Sequence, residues 1–229
     1  MLKGKWLILS VGGSIVIPNK INKTFLKKFR DFILKWAKKG RRFIIFIGGG
    51  KTARYYQKEA KKIGILNRAN LDWIGIYATY LNASLILGLF KNKVYSQIIQ
   101  NPTKRINSNK KIIIAGGWKP GWSTDYDTVR IARLYDANTV INLSDIDYVY
   151  NKDPDKFKDA TPLKNISFSE FFKIGGKKWS PGLNLPFDPI ASKFAKEHKI
   201  KVIILKGTDL KNLDKLFQGE NFKGTIIQD

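Results

Sequence analysis

Three short stretches of the chain hold residue types suited to phosphate. They are Gly12-Gly13-Ser14, Gly48-Gly49-Gly50 followed by Lys51 and Arg54, and Gly116-Gly117 followed by Lys119-Pro120-Gly121. Glycine lets a backbone approach an anion closely, and a helix that starts after such a loop adds free N–H groups and the positive end of its dipole. Taken singly, each glycine pair is explained as well by a tight turn between strand and helix. Three of them, each closing an apolar run, point to one polyphosphate site. Neither a Walker A pattern nor G-x-G-x-x-G occurs, which excludes a P-loop and an ordinary dinucleotide site.

Other charged residues stand near these loops. Arg54, one turn into the helix after Gly50, can aim a planar fork of donors at a phosphate. Asp125 follows Gly121-Trp122-Ser123-Thr124 at a helix start, where carboxylates act as caps. Asp127 reads as a first-turn helix charge. Asp188 and Lys193, in "DPIASK", either reach the site or form an exposed helix pair, and His198 reads as a solvated helix end.

The elements that must position these residues alternate between strand and helix. Residues 5–11 form an apolar run; 22–39 place Phe25, Phe29, Phe32, Ile33 and Trp36 on one helical face, with Asn22 as N-cap and Gly40 as stop. A second βα unit runs through "RFIIFI" and the helix closed by Gly64. The stretch 69–90 is helical and apolar on more than one face, so it belongs to the core or to a subunit interface. "IIIAGG", a helix at 124–135, "TVINLS", "DPIASKFAKEHK", "VIIL" and a closing helix and strand follow. Strands alternating with helices imply an α/β fold with a mainly parallel sheet covered on both faces, and the carboxyl ends of its strands share one edge. A single domain over 1–229 is expected. Its Lys-, Gly- and Pro-rich part at 155–185 is an insertion or lid.

Composition narrows the function classes. The chain has 229 residues, no cysteine and one histidine, so thiolate chemistry and multi-histidine metal sites are excluded. Its net charge of +24 comes from 34 lysines and 8 arginines scattered along the chain. That is a solvated basic surface that concentrates anionic substrates, not a specific nucleic-acid footprint. The opening residues read as strand and turn, because Gly12 and Gly13 interrupt their apolar run. No window is expected to reach the roughly 18 apolar residues of a membrane span, and a cytoplasmic location follows by default.

"SVGGS", "GGGKTAR", "LDWIGI", "GGWKPGWSTD", "SDIDYVYNKDP", "DPIASK" and "GTII" occur in the order found in the amino acid kinase family, over essentially the whole chain. The chain most resembles the archaeal type of uridylate (UMP) kinase. That resemblance implies an αβα sandwich that transfers the γ-phosphoryl group of ATP to UMP, with Mg²⁺ held mainly by the nucleotide phosphates and no dedicated metal site. It implies a UMP site at Gly49, Asp72 and the segment Trp118, Lys119, Pro120, Gly121, Trp122, Ser123 and Thr124, with Asp72 accepting from ribose hydroxyls. Gly13, Ser14, Gly50 and Arg54 fall at the positions that handle ATP phosphates. Ser144, Asp145, Tyr150 and Asp153 fall beside its adenine and ribose. Arg54, Asp125 and Lys193 fall at catalytic positions. The family resembled is typically hexameric, built from dimers packed through long helices.

Two departures stand out. Ser10 and Val11 occupy the place where many family members carry a first-strand lysine, so a cation must come from elsewhere, with Lys51, Lys119 and Lys193 as candidates. Tyr148 replaces a customary glycine, and a positive φ there would strain it by about 1 kcal/mol or more. The alternatives to a UMP kinase are a family member acting on a carboxylate, carbamate or small phosphate, and a non-enzymatic basic protein that binds nucleotides or nucleic acid.

Overall fold

Apolar residues alternate between two faces along every central strand, which is why the sheet is covered on both sides. The computed structural model describes residues 5–174 and 186–229. From the N-terminus the elements are β1 (Trp6–Val11), α1 (Gly13–Val16), α2 (Lys23–Lys38), β2 (Arg42–Ile47), α3 (Gly50–Lys62) and α4 (Arg68–Phe90). Then come β3 (Ile112–Ala115), α5 (Thr124–Leu134), β4 (Thr139–Ser144), β5 (Val149–Tyr150), β6 (Pro162–Leu163), β7 (Asn165–Ile166) and α6 (Phe168–Ile174). The chain ends with α7 (Pro189–Glu197), β8 (Lys201–Lys206), α8 (Leu210–Gln218) and β9 (Thr225–Ile227). The strand order is β3-β2-β1-β4-β8-β9-β7, and β5 pairs with β6 in a separate hairpin. β3, β2, β1, β4 and β8 are mutually parallel, while β9 runs antiparallel to β8.

On one face Leu7, Leu9, Val11, Phe43, Ile45 and Ile47 pack against α2, α4 and α8. On the other Ile8, Ile44, Phe46, Ile113 and Val140 pack against α5, α6 and α7. The helix expected at 22–39 forms as read: Asn22 accepts from the Phe25 N–H, and all five apolar residues of its face are buried. Each large apolar side chain so buried stabilises the sandwich by about 1.5–3 kcal/mol.

Two expectations change here. α4, with the turn that follows it, is long and apolar enough to cross a membrane. Within the fold it is a core helix, because Ala83, Ile86 and Phe90 pack against the sheet, and Ile76 and Asn82 are buried as well. Of the insertion or lid expected at 155–185, the part up to Ile174 is anchored: β7 extends the main sheet beside β9, and Phe168 and Phe171 enter the core. Residues 175–185 lie outside the described residues.

The strand ends meet on one edge. The Gly48 N–H donates to the Val11 carbonyl at 2.9 Å, the Gly12 N–H to the Leu143 carbonyl at 3.0 Å, and the Gly207 N–H to the Ser144 carbonyl at 2.7 Å. The first two glycine loops touch backbone to backbone. A Cβ on Gly13 would overlap the Gly48 oxygen, and one on Gly50, whose φ is +58°, would overlap the Gly13 carbonyl carbon. Neither loop can yield a side chain's width without breaking the ladder behind it.

Gly13→Ala is therefore expected to lower the melting temperature, since overpacking a tight site costs about 1–3 kcal/mol. Gly88, in α4, is the control, because beyond its own stretch of helix no described atom lies within 4 Å of the place a Cβ would take there. Gly88→Ala should stabilise by up to about 1 kcal/mol through helix propensity. Thermal unfolding of both variants beside the parent checks the contrast.

Candidate nucleotide site

Polar side chains on the buried stripe of α4 hold the glycine loops in place. Asn82 donates to the carbonyls of Gly48 and Gly49, at 2.9 and 3.2 Å. Thr79 accepts from the Gly117 N–H at 2.8 Å, and the Tyr80 hydroxyl donates to the Gly117 carbonyl at 2.7 Å. From the opposite face of the sheet, α5 supplies Asp127, which accepts from the Trp118 N–H at 2.9 Å.

At the mouth of this frame Arg54, one turn into α3, donates to the Ser14 hydroxyl at 2.9 Å. Those two residues and the Gly13–Gly50 contact form one cluster, as the sequence implied. The N-termini of α1 and α3 open onto it. Of the candidate lysines, Lys51 donates to the Asn19 side chain, and Lys119 lies over the Trp118 ring at 4.2 Å from its centre. Among the described residues Lys193 has no ion pair, and it is exposed on α7.

A second cluster gathers the residues read as the acceptor side. Asp72, in the second turn of α4, accepts from the Gly121 N–H at 2.8 Å and so ties the helix to the 118–124 loop. Trp122 stacks on Tyr126 with ring centres 4.1 Å apart, Ser123 caps α5 by accepting from the Tyr126 N–H, and Thr124 opens the helix. Pro120 sits at the tip of the loop, between Lys119 and Gly121.

Between the clusters stands Asp125. It does not cap α5, because Ser123 does. Its carboxylate accepts from the Asp188 N–H at 3.2 Å and from the Ser10 hydroxyl at 3.3 Å. Loss of water contact, with repulsion from Asp188 added, pushes its pKa up to about 7 against the lowering effect of those two hydrogen bonds. Asp188 itself caps α7 by accepting from the Ala191 N–H. Asp127 lies in the first turn of α5, as read. It is also fully buried, its pKa is pushed up to about 7, chiefly by burial, and one of its oxygens has no partner among the described residues.

Ser144 and Asp145 end β4 beside the first glycine loop, with the Ser144 hydroxyl donating to Asp145. Tyr150 lies in the small hairpin, and Asp153 is engaged locally by the Asp155 N–H and Lys156. Tyr148 is not strained: the non-glycine residues with positive φ among those described are Lys91, Asp136 and Lys199. His198 ends α7 in solvent, as expected, with its ring stacked on Phe194. Two cavities of about 250 and 270 Å³ lie away from the strand ends, one between α2 and the start of β3 and the other at the far ends of α5 and α7. Neither is lined by the glycine loops.

Residues 5–206 match the amino acid kinase family. The chain belongs to that family. Relatives include a uridylate kinase of Methanobrevibacter smithii, 32% identical over 226 residues that span 96% of this chain and 98% of the relative. One from Thermoplasma volcanium is also 32% identical, over 97% of both chains. Among solved structures, the uridylate kinase of Archaeoglobus fulgidus superposes with a TM-score of 0.81 at 28% identity, covering 96% of this chain and 100% of its own. The UMP kinase of Bacillus anthracis, at 21% identity and a TM-score of 0.80, shares the fold. The αβα sandwich with a mainly parallel sheet is thus the fold of the family.

Sequence reasoning missed Asn82, Thr79, Tyr80 and Asp127. The signal available was a polar pair, Thr79 and Asn82, inside an otherwise apolar helical run.

The raised carboxylates predict a pH dependence. A carboxyl group whose folded pKa exceeds its unfolded value of about 3.8 stabilises the fold below that value, and this contribution is lost as pH rises toward 7. Asp125→Asn should therefore gain melting temperature relative to the parent between pH 5 and pH 8. A constant difference between the two proteins across that range would show that Asp125 keeps an ordinary pKa.

Proposed function

We propose that the chain transfers the γ-phosphoryl group of ATP to UMP, giving UDP, in the supply of pyrimidine nucleotides. The observation that carries this reading is the pairing of two clusters on one sheet edge, the Gly13–Gly50–Arg54 group and the Asp72-tied 118–124 loop. It is supported by archaeal uridylate kinases alike over nearly the full chain. Phosphoryl transfer asks a protein for positioning and for positive charge around the equatorial oxygens more than for a covalent nucleophile. In this reading ATP phosphates lie along the Gly13–Ser14 and Gly50 amides, with the base toward Ser144, Asp145, Tyr150 and Asp153.

UMP lies between Gly49 and the 118–124 loop, its ribose at Asp72. Arg54, released from Ser14, faces the group in transit, and Asp125 orients the cations that gather there, Lys193 among them. In this reading Mg²⁺ is held mainly by the nucleotide phosphates. Once bound it draws charge off the phosphate oxygens.

The working form is a homo-oligomer, a hexamer by family likeness, in the cytoplasm. The oligomer is supported by the exposed stripe of Trp73, Tyr77 and Leu81 along α4, where the last two are 64% and 63% exposed. Neither nucleic acid nor a membrane is a partner in this reading.

A coupled assay with ATP against UMP, CMP, AMP, GMP and small carboxylic acids tests the acceptor class, and turnover is expected with UMP foremost. Arg54→Ala should lower kcat about a hundred- to a thousandfold, the loss of about 3–4 kcal/mol in a transition-state contact, with an unchanged melting temperature. Asp72→Asn should raise the KM for UMP well above any change for ATP. Parent-like turnover in the Arg54→Ala protein would remove the arginine from the chemistry.

A further inference from the structure

The two peptides on either side of the Gly117 Cα are held by buried or half-buried side chains. Thr79 takes the Gly117 N–H, Tyr80 the Gly117 carbonyl, and Asp127 the Trp118 N–H. The three come from two helices on opposite faces of the sheet and converge on these successive peptides just past the end of β3. A Cβ on the preceding Gly116 would stand 2.5 Å from the Tyr80 ring, so that ring closes directly on the strand end.

Asp127 is a costly way to satisfy one N–H. A carboxylate with no solvent contact and no ion pair among the described residues is disfavoured, and an apolar side chain would fill its place on α5 without that penalty. The charged or titratable groups around it are Asp125 and Arg130 on its own helix and Tyr80 on α4. None of them makes a hydrogen bond to it. What the carboxylate does is fix the direction in which the chain leaves β3, and that direction sets where Lys119, Gly121 and Trp122 lie opposite Asp72.

We propose that Asp127, acting with Thr79 and Tyr80 through the two peptides flanking the Gly117 Cα, is a positioning residue that sets the affinity for the acceptor nucleotide. This rests on reading the 118–124 loop as the acceptor side. It does not touch the ATP side, because the three side chains make no hydrogen bond to the first two glycine loops.

Steady-state kinetics with ATP and UMP varied separately, on the full chain, tests it. Tyr80→Phe, Thr79→Val and Asp127→Leu should each raise the KM for UMP about ten- to a hundredfold, the effect of one lost contact that leaves a buried partner unpaired. The KM for ATP and the kcat at saturating UMP should stay within about twofold. Asp127→Asn, which keeps an acceptor for the Trp118 N–H, should return to near the parent KM. Should Asp127→Leu fail to fold, Tyr80→Phe and Thr79→Val decide at almost constant volume: the first deletes one hydrogen bond, the second that to the Gly117 N–H and the Thr79 hydroxyl's own bond to the Ile76 carbonyl. Equal rises in both KM values, or no rise for UMP, would overturn the proposal while leaving the kinase reading intact. A parent protein that does not phosphorylate UMP at all would overturn that reading and the proposal with it.

Discussion

Among the described glycines, Gly13 and Gly50 leave the least room for a Cβ, 2.3 and 2.4 Å from the backbone of the facing loop. Gly13 and Gly50 meet backbone to backbone, and a single added carbon at either would overlap the other loop. Close packing transmits such a constraint rather than absorbing it. β1 and β2 must end at the same level, α1 and α3 must start side by side, and Arg54 must emerge beside Ser14. Asn82, reaching from α4 to the carbonyls of Gly48 and Gly49, fixes the depth at which this contact sits.

Charge is arranged around that frame in two ways. The surface is strongly basic, which raises the local concentration of nucleotides in a salt-dependent manner. Beneath the strand ends Asp125 and the fully buried Asp127 stand two residues apart, both held well above the usual carboxylate range. Neither has an ion pair among the described residues. With serine at position 10, Asp125 receives a hydrogen bond where a lysine would have given a charge.

Much of the frame is legible in the sequence because its signals are local. Runs such as "RFIIFI" with glycine after them, and the spacing of Phe25, Phe29, Phe32, Ile33 and Trp36, specify strand, loop and helix within a few residues. The clustering of Gly13, Gly50, Ser14 and Arg54 follows from the rule that parallel strands end on one edge. Asn82, Thr79 and Tyr80 are hidden because they sit in an apolar run whose partners lie more than thirty residues away in sequence. Asp127 reads correctly as a first-turn helix charge, but its burial is hidden, because that depends on the packing of α5 under Trp118. Residues 162–174 look like an insertion by composition, yet the pairing of β7 with β9 makes them part of the sheet.

The central claim is that the three glycine loops, held by α4 and α5, are where nucleotides bind. Amide hydrogen exchange followed by mass spectrometry, on the protein alone and with UMP plus a non-hydrolysable ATP analogue, tests it most directly. The account predicts slower exchange in peptides covering 12–16, 48–54 and 116–125 when both nucleotides are present, with 116–125 responding to UMP alone. Unchanged exchange in all three, with protection appearing at the cavity between α2 and β3 or at the far ends of α5 and α7, would contradict it.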